Sequence, residues 1–505
     1  MSLTIGYHQQ NLHTASGARA RTLRETVDRL RRESPTKPWL PGTKENPSIP
    51  NPELFTALSP ALSFASTDIN TSGASSSKDP NHHEPAINAL SLGIPIPNIA
   101  ECAIHLELLL CFAAFHRRVD NSTTLDKAFN IFPRQKTVRR YNDPAKRIRD
   151  PTFDDRRKLK WPAVLNISVE RFLFWFQKLD TTMNESPRDE WSSFFPPPID
   201  VLMVWHAVLI NPSHYKRLTT SYKHIHHTPF PWAQIFEAID LSKHFFNPPI
   251  CAIAKFETMT GLTADIFQQI QQHSTYTPIA QSLAKMIEPT MPAEEATKLQ
   301  ANTNLTFMPG ADNFRKMCEP LETASPVVKS LAAAVTRQYA FCQKMEYQLW
   351  SRSPVALETI HRSRIRYARF LKLFQLYPKT MLVPTLDIDL VWHTHQLSHE
   401  KYVSGMKTLT GTFVDHDDKI GKPTLDDGMQ RTSDLYRIRF GSNYEECHCW
   451  ECETLTTELE KAAATALEQG IKYEAIQEKV VKDVNYYRVA ELSRREGKLL
   501  PDRYW

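Results

Sequence analysis

The chain has 505 residues, of which 41% are hydrophobic and 23% charged, so it can bury a large core and still present a charged surface. Its 61 Lys and Arg side chains nearly balance 56 Asp and Glu, and the formal charge of +5 is too small to indicate a general nucleic-acid or membrane binder. None of the patterns GxGxxG, GxxxxGKS/T, GxSxG or HExxH occurs, which removes the usual sequence support for nucleotide-binding proteins and serine hydrolases, and no nucleotide cofactor is expected.

The N-terminus and the cysteine content indicate a compartment. The N-terminus lacks the apolar core of a signal peptide, and the longest apolar run, LELLLCFAAF, is shorter than the roughly 20 residues that a membrane span needs. Eight cysteines in a chain of this length are typical of thiols in a reducing compartment rather than of a disulfide framework. We therefore expect a cytoplasmic protein, or one shared between cytoplasm and nucleus, without a membrane span.

The predicted elements, taken in chain order, are almost all helices. Residues 1–87 are rich in Ser, Pro, Asn and Thr, a composition typical of a disordered arm. Order is expected from LGIPIPNIAECAIHLELLLCFAAF onward, where Ile104, Leu108 and Phe112 recur at helical spacing. SPVVKSLAAAVTRQYAFCQKMEYQLW and the C-terminal stretch from TTELEK, with a break near Gly470, are also predicted helices. Strand alternation is weak, so the predicted fold class is mostly α.

An internal repeat runs through the helical part of the chain. ERFLFWFQKL at 170–179 resembles ARFLKLFQLY at 368–377, and PPPIDVLMVWHAVLINPSHY at 196–215 resembles LVPTLDIDLVWHTHQLSHEKY at 382–402. Aligned on tryptophan, the copies share the pairs Asp200 and Asp387, Val204 and Val391, Trp205 and Trp392, His206 and His393, and Tyr215 and Tyr402. Two related helical halves are the simplest explanation.

The repeat and the changes in composition predict five segments. They are a disordered N-terminal arm at 1–87, a first helical repeat half at 88–250, a connecting helical segment at 251–325, a second helical repeat half at 326–445, and a Cys-rich hook with C-terminal helices at 446–505. The motif DIDLVWHTHQL lies in the second repeat half.

Two polar residues of the second copy have apolar counterparts in the first. Asp389 and His395 occupy the positions of Leu202 and Val208, so the fold does not require polarity there. The Asp and Trp residues that both copies share have a structural explanation, as a helix-start carboxylate and a buried aromatic anchor. The asymmetry therefore indicates a site in the C-terminal half, although it names no catalytic residue.

Imidazole and carboxylate side chains near this helix form a candidate metal site. Asp389 and His393 are four residues apart and share one helix face, whereas His393 and His395 are about 200° apart and cannot bind one ion from a straight helix. The segment FVDHDDK offers further candidate ligands, Asp415, His416, Asp417 and Asp418, and His395 is another possible ligand. This set of imidazoles and carboxylates suits zinc, manganese or non-haem iron. The structural alternative is an acidic surface turn beside a capped core helix.

CHCWEC is a second candidate metal site. Cys447, Cys449 and Cys452 are three closely spaced thiols with His448 among them, enough for three or four soft ligands to zinc. Zinc sites usually draw on two separated ligand pairs, and no second CxxC is present in the sequence. A buried thiol cluster, a redox pair and a partial zinc knuckle therefore remain open alternatives.

Several of these segments resemble a known family. AVTRQYAFCQKM, IRYARFLKLF, LVPTLDIDLVWHTHQLSHEKY, VDHDD and LGIPIPNIAECAIHLELL are similar to the glycine-rich domain-containing protein-like family of plants and fungi, over about residues 88–445. In plant members this module precedes a glycine-rich region, sometimes with an RNA-binding motif. That region is absent from this chain, which has 14 glycines, and the CHCWEC tail looks like that of fungal members. The resemblance implies an intracellular protein linked, in plants, to growth and stress responses, and no established reaction.

Three functions follow as hypotheses. An intracellular interaction or regulatory module with protein partners is favoured by the missing nucleotide and hydrolase motifs and by the arm. A metal-dependent enzyme with an Asp/His site in the C-terminal half is the alternative favoured by the asymmetry between the copies. RNA binding rests only on the family analogy and a weakly basic N-terminal arm, so RNA is a doubtful partner.

Overall fold

The computed structural model describes residues 49–56, 85–134, 136–138, 146–148, 150–185, 195–222, 224–225, 228–288, 311–318, 323–416, 421–465 and 473–495. Within these ranges the chain is mostly α-helical, which confirms the predicted fold class. The chain divides into two compact units. Unit 1 takes Met1–Glu107, Leu241–Lys243 and Lys344–Trp505, and unit 2 takes Leu108–Asp240 and His244–Gln343.

The elements before residue 290 include two short antiparallel hairpins, in which Lys136 is opposite Ile148 and Ile239 is opposite Phe246. In chain order they are a 3₁₀ helix (Pro52–Phe55), α1 (Pro85–Asn88), α2 (Ile99–Asn121), α3 (Thr123–Ala128), β1 (Lys136–Val138), β2 (Lys146–Ile148), α4 (Phe153–Lys158), α5 (Lys160–Glu185), α6 (Ile199–Leu209), α7 (Pro212–Thr219), α8 (Trp232–Ala238), β3 (Ile239–Asp240), β4 (Phe245–Phe246), α9 (Ile250–Thr260), α10 (Ile266–His273) and α11 (Thr277–Ile287).

The later described elements are all helical. They are α12 (Ala311–Met317), α13 (Pro326–Gln348), a 3₁₀ helix (Trp350–Arg352), α14 (Ala356–Leu376), α15 (Leu386–Leu397), α16 (His399–Thr410), α17 (Lys422–Phe440), α18 (Trp450–Thr465) and α19 (Tyr473–Arg495). Helix α15 begins at Leu386 and contains the whole motif DIDLVWHTHQL, residues 387–397.

Helices α5 and α6 organise the core of unit 2. Trp205 of α6 is buried, and its ring lies 5.6 Å from that of Trp175 on α5. Arg171 of α5 is fully buried, and its Nε donates to Oδ2 of Asp200 at 2.7 Å. A guanidinium in the interior requires such a partner, because an unpaired buried charge would be very costly.

Helices α14 and α15 have the corresponding role in unit 1. Trp392 of α15 is buried, with the rings of Phe370 and Phe374 at 5.6 and 5.8 Å. Arg366 of α14 donates from Nε to Oδ2 of Asp387 at 2.6 Å. Each of the two WH segments is therefore a helix with a buried Trp and a first-turn Asp paired to an Arg. The internal repeat and the five predicted segments stay predictions.

The predicted N-terminal arm falls mostly outside the described residues, which in this part of the chain are 49–56 and 85–87. Residues 49–56 differ from the expectation of disorder. Leu54 and Phe55 of the 3₁₀ helix are buried, and Ile49 packs with Ala490 and Tyr487 of α19. The apolar side chains of this Pro-rich segment therefore pack against an apolar surface of α19.

Helix α2 is the one described helix that is long and apolar enough to cross a membrane, with a mean hydropathy of 1.6 over its most apolar window. Of that window, 83% is buried within the protein, and this burial is typical of a core helix. The helix contains the run LELLLCFAAF, which the sequence analysis judged too short for a span. Its length comes from less apolar residues at both ends.

Candidate metal centre

The start of α15 is held by buried charges. Asp387 lies in the first helical turn, where its Oδ1 accepts from Oγ1 of Thr385 at 2.6 Å and its Oδ2 from Arg366. Nε2 of His448 lies 3.2 Å from Oδ1 of the same carboxylate. Burial would raise the pKa of Asp387, but the positive charges of His448 and Arg366 outweigh it and hold that pKa well below its ordinary value.

Asp389, His393 and His416 converge on one point, and we call these three residues the Asp–His cluster. Nε2 of His393 lies 3.2 Å from Oδ1 of Asp389 and 3.1 Å from Nε2 of His416. Nε2 of His416 lies 3.6 Å from the same carboxylate oxygen. Two of the three residues come from α15, at positions i and i+4, and the third comes from the loop that follows α16.

These separations fit a shared metal ion. Ligand bonds of about 2.1 Å near the tetrahedral angle place ligand atoms roughly 3.4 Å apart, and the observed distances of 3.1, 3.2 and 3.6 Å bracket that value. Two imidazole nitrogens and one carboxylate oxygen form a donor set that binds zinc, iron(II) or manganese. Three protein ligands leave at least one coordination position for water or substrate.

The cluster is anchored inside the protein and reaches solvent on one side. The His393 side chain is 2% exposed, whereas those of Asp389 and His416 are 21% and 13% exposed. Burial would raise the pKa of Asp389, but the charge of His393 and the hydrogen bond and charge of His416 lower it below its ordinary value. The carboxylate is therefore ionised at neutral pH, as a metal ligand must be.

Trp392 and Tyr402 position the loop that carries His416. The Tyr402 hydroxyl donates to the carbonyl of Val414 at 2.9 Å and accepts from Nε1 of Trp392 at 3.0 Å. The Trp392 and His416 rings meet edge to face, with centroids 5.2 Å apart. The sequence analysis had paired Tyr402 with Tyr215 of the first copy but assigned neither residue a role at the site.

Of the other candidate ligands near α15, His395 is elsewhere in the structure and Asp417 lies outside the described residues. His395 is buried on another face of α15, where its Nδ1 is 2.8 Å from the Tyr367 hydroxyl. Burial, with a smaller contribution from Lys401, lowers the pKa of His395 to about 3, so this imidazole is neutral. His395 is therefore a core residue, because residues two apart on a helix face nearly opposite directions.

The CHCWEC hook, residues 447–452, brings its thiols together and turns its histidine away. The Sγ atoms of Cys447, Cys449 and Cys452, which we call the thiol cluster, lie within 4.8 Å of one another. His448 instead lies between two carboxylates, with Nδ1 2.7 Å from Oε1 of Glu453 and Nε2 near Asp387.

His448 is therefore a structural cation and does not join the thiol cluster. Burial would lower its pKa, but Asp387 and Glu453 raise the pKa of His448 to about 10. Both ring nitrogens face carboxylates, which leaves neither of them directed at a metal. Neighbouring side chains in the hook point in different directions, and this is why sequence proximity was misleading for His448.

The comparison with known proteins bears on part of this site. Residues 291–404 match the family described as glycine-rich domain-containing protein-like. The matched segment is less than a quarter of the chain, and the similarity is to that segment alone. The segment is shorter than the resemblance over 88–445 that the sequence suggested, and it contains Asp389 and His393 but ends before His416 and the hook.

Two relatives from Arabidopsis thaliana are similar to part of the chain. Glycine-rich domain-containing protein 1 is 37% identical over 123 residues, which are 23% of this chain and 14% of that protein. Glycine-rich domain-containing protein 2 is 36% identical over 124 residues, which are 23% of this chain and 15% of that protein. The chain thus spans about one seventh of the length of these relatives. No solved structure matches the chain.

Proposed function

We propose that unit 1 binds a divalent metal ion through Asp389, His393 and His416. The observation that carries the proposal is the convergence of three ligand atoms, from a helix and a separate loop, with separations of 3.1 to 3.6 Å. Chance neighbours on a surface rarely bring two imidazoles and a carboxylate to one point when one of them is nearly fully buried.

The donor set and its surroundings limit the chemistry of the proposed site. Two imidazoles, one carboxylate and an open position suit an ion that polarises a bound oxygen or activates water. The neighbouring Tyr402 hydroxyl is already committed to Trp392 and Val414, so no described side chain of this group serves as a free acid or base. Metal binding is the proposed function. An enzymatic reaction at the bound ion would require a substrate in addition.

Metal titration of the full chain tests this proposal. After chelator treatment and dialysis, isothermal titration with zinc, manganese and iron(II) should give binding that Asp389→Asn, His393→Ala and His416→Gln each weaken by at least about a hundredfold, more than outer hydrogen-bond partners usually contribute. Asp415→Asn is the matched control, since it removes a neighbouring exposed carboxylate outside the cluster. Equal affinity in all four variants would contradict the proposal.

The interaction role is the second candidate, and a cleft in unit 2 favours it. The cleft has a volume of about 810 Å³ and combines apolar Phe174 and Val327 with two cations, Arg217 and Lys316, and one acidic side chain, Glu170. This lining suits an acidic amphipathic helix of a protein partner. A labelled acidic amphipathic peptide should bind the chain and lose affinity on Lys316→Glu, whereas a basic peptide of equal hydrophobicity should not bind.

The remaining expectations stay predictions. These are the cytoplasmic or shared nuclear location, a fungal type of family member, and the family's association with RNA. The names of the two relatives state no ligand or reaction.

A further inference from the structure

The thiol cluster is a second group of potential metal ligands, separate from the Asp–His cluster. The Sγ atoms of Cys447, Cys449 and Cys452 lie within 4.8 Å of one another, although the Zn–S bond of about 2.3 Å places tetrahedral thiolates roughly 3.8 Å apart. The upper limit of 4.8 Å on the three sulfur separations is compatible with a zinc-bound set. All eight cysteines are free thiols, so the three hook cysteines are not joined to each other.

Backbone N–H groups of the hook point at two of the three sulfur atoms. The N–H of Cys449 donates to the sulfur of Cys447, and the N–H of Cys452 donates to the sulfur of Cys449. Each of these hydrogen bonds favours the charged form of the accepting thiol, but burial outweighs it at Cys449 and raises the pKa of that thiol above its ordinary value. Cys452 also lies in the first turn of α18, where the free N–H groups and the positive helix end favour a negative charge.

Contacts outside the thiols hold the hook in place before any ligand binds. Nε1 of Trp350 donates to the carbonyl of His448 at 2.8 Å, and Nε1 of Trp450 donates to the carbonyl of Gln348 at 2.7 Å. The His448 ring is fixed by the carboxylates of Glu453 and Asp387. A site that is held in this way loses little conformational entropy when it binds an ion.

We propose that Cys447, Cys449 and Cys452 bind one zinc ion, with a fourth position open to water or to an external thiolate. Binding forms three Zn–S bonds and releases three thiol protons to solvent, with no change of oxidation state. Cys447 is exposed, while Cys449 and Cys452 are half-buried, so solvent reaches the thiol cluster at Cys447. His448 does not fill the fourth position, since both of its nitrogens are engaged.

Zinc at the hook would support the start of α15. His448 joins the hook to Asp387, the first-turn carboxylate of the helix that also carries Asp389 and His393. A zinc ion that holds the hook in place would therefore also hold His448 against Asp387 at the start of α15. We expect each of the two sites to bind one ion whether or not the other site is occupied.

Cobalt(II) substitution of the full reduced chain tests this proposal, because thiolate ligands give an intense sulfur-to-cobalt charge-transfer absorption that imidazole and carboxylate ligands lack. The wild type and Cys251→Ser, which removes an exposed cysteine elsewhere, should show this absorption. Cys449→Ser and Cys452→Ser should lose it. Cys447→Ser, at the exposed position, should weaken it with the fold intact by circular dichroism.

The same experiment separates this proposal from the Asp–His site. Asp389→Asn should keep the full charge-transfer absorption and lose one equivalent of bound metal, whereas Cys449→Ser should lose the absorption and keep the other equivalent. A folded wild-type chain without the charge-transfer absorption would overturn the thiol site. Undiminished absorption in Cys447→Ser and Cys452→Ser would overturn it as well. A third contradicting result would be that mild peroxide converts the thiol cluster to a disulfide and excess zinc does not protect it.

Discussion

At the scale of single residues, Asp387 and Asp389 are two carboxylates on one helix with different surroundings. Asp387 is fully buried between the cations Arg366 and His448. Asp389 is partly exposed and shares its oxygen with His393 and a second imidazole. The first carboxylate therefore belongs to the fold, while the second is available to a ligand.

Substituting each carboxylate should separate these two roles. Asp387→Ala removes one carboxylate from each of two buried cations, Arg366 and His448. It should lower the free energy of unfolding by more than the roughly 1 kcal/mol of a lost helix-start residue alone, and by up to about 3–5 kcal/mol. Asp389→Asn should change it by less than about 1 kcal/mol. Urea denaturation in the presence of a chelator measures both values, and equal losses would contradict the assignment.

Sequence spacing predicted part of the Asp–His cluster for a geometric reason. Asp389 and His393 are brought together by the helix itself, since residues four apart share a face. His416 joins them only through the tertiary path of the loop, which a local pattern suggests but does not determine. His395 and His448 were included with the ligands because partners that engage them, Tyr367 and Asp387, come from elsewhere in the chain.

At the scale of elements, helical periodicity was sufficient to predict the main helices, including α2, α13 and α15. The two hairpins were not predicted, because strands of two or three residues are too short to show alternation. The docking of residues 49–56 also escaped prediction, since composition alone does not reveal a surface on α19. Packing between elements therefore decides what the local pattern leaves open.

Tyr402 gives a test of how α16 positions the ligand loop. Tyr402→Phe removes the hydrogen bonds to Val414 and from Trp392, so the loop with His416 should be held less firmly. Metal affinity should fall roughly tenfold, the effect typical of an outer partner, with little change in helix content. Tyr215→Phe is the matched control, because its hydroxyl donates to Ile225 in unit 2. Metal titration measures the affinity of both variants. Equal affinities would contradict the role of Tyr402 in positioning the loop.

Two helical glycines should respond in opposite ways to alanine. A Cβ at Gly428 of α17 would meet the end of Met381 and lie 2.7 Å from Cγ2 of Val383, so Gly428→Ala should lower the free energy of unfolding by about 1–3 kcal/mol. A Cβ at Gly405 of α16 would meet Ile94 at an ordinary 3.5 Å, so Gly405→Ala should raise it by roughly 0.5–1 kcal/mol. Thermal and urea unfolding measure both, and a stabilised Gly428→Ala would show that α17 does not approach so closely.

At the scale of the whole molecule, unit 1 is built from distant parts of the chain. Nδ1 of His105 lies 2.8 Å from Oγ1 of Thr394, across 289 residues, and Nε of Arg364 donates to the carbonyl of Pro97 at 2.6 Å. Arg352 pairs with Glu107 at 2.7 Å in the same unit. Local sequence patterns carry no information on such pairings, since each depends on how the chain returns to the unit.

Global stability should depend on pH through His273, a buried imidazole of unit 2. Its Nδ1 lies 2.9 Å from the Gln269 carbonyl and its ring packs on Phe314, and burial lowers the pKa of His273 below its ordinary value of 6.5. The unfolded chain therefore binds a proton more readily than the folded chain. The contribution of His273 to the free energy of unfolding is fully present above about pH 6.5 and decreases as the pH falls below it.

His273→Phe isolates this contribution from other titrating groups. Phenylalanine keeps the aromatic packing against Phe314 and cannot take up a proton, so the variant should lose less stability than the wild type between about pH 7 and about pH 5, by on the order of 1 kcal/mol. Urea denaturation at a series of pH values gives the difference directly. The difference in free energy of unfolding between wild type and variant could instead stay constant across this pH range. The imidazole would then be protonated as easily in the folded chain as in the unfolded one, and its burial would have no part in acid sensitivity.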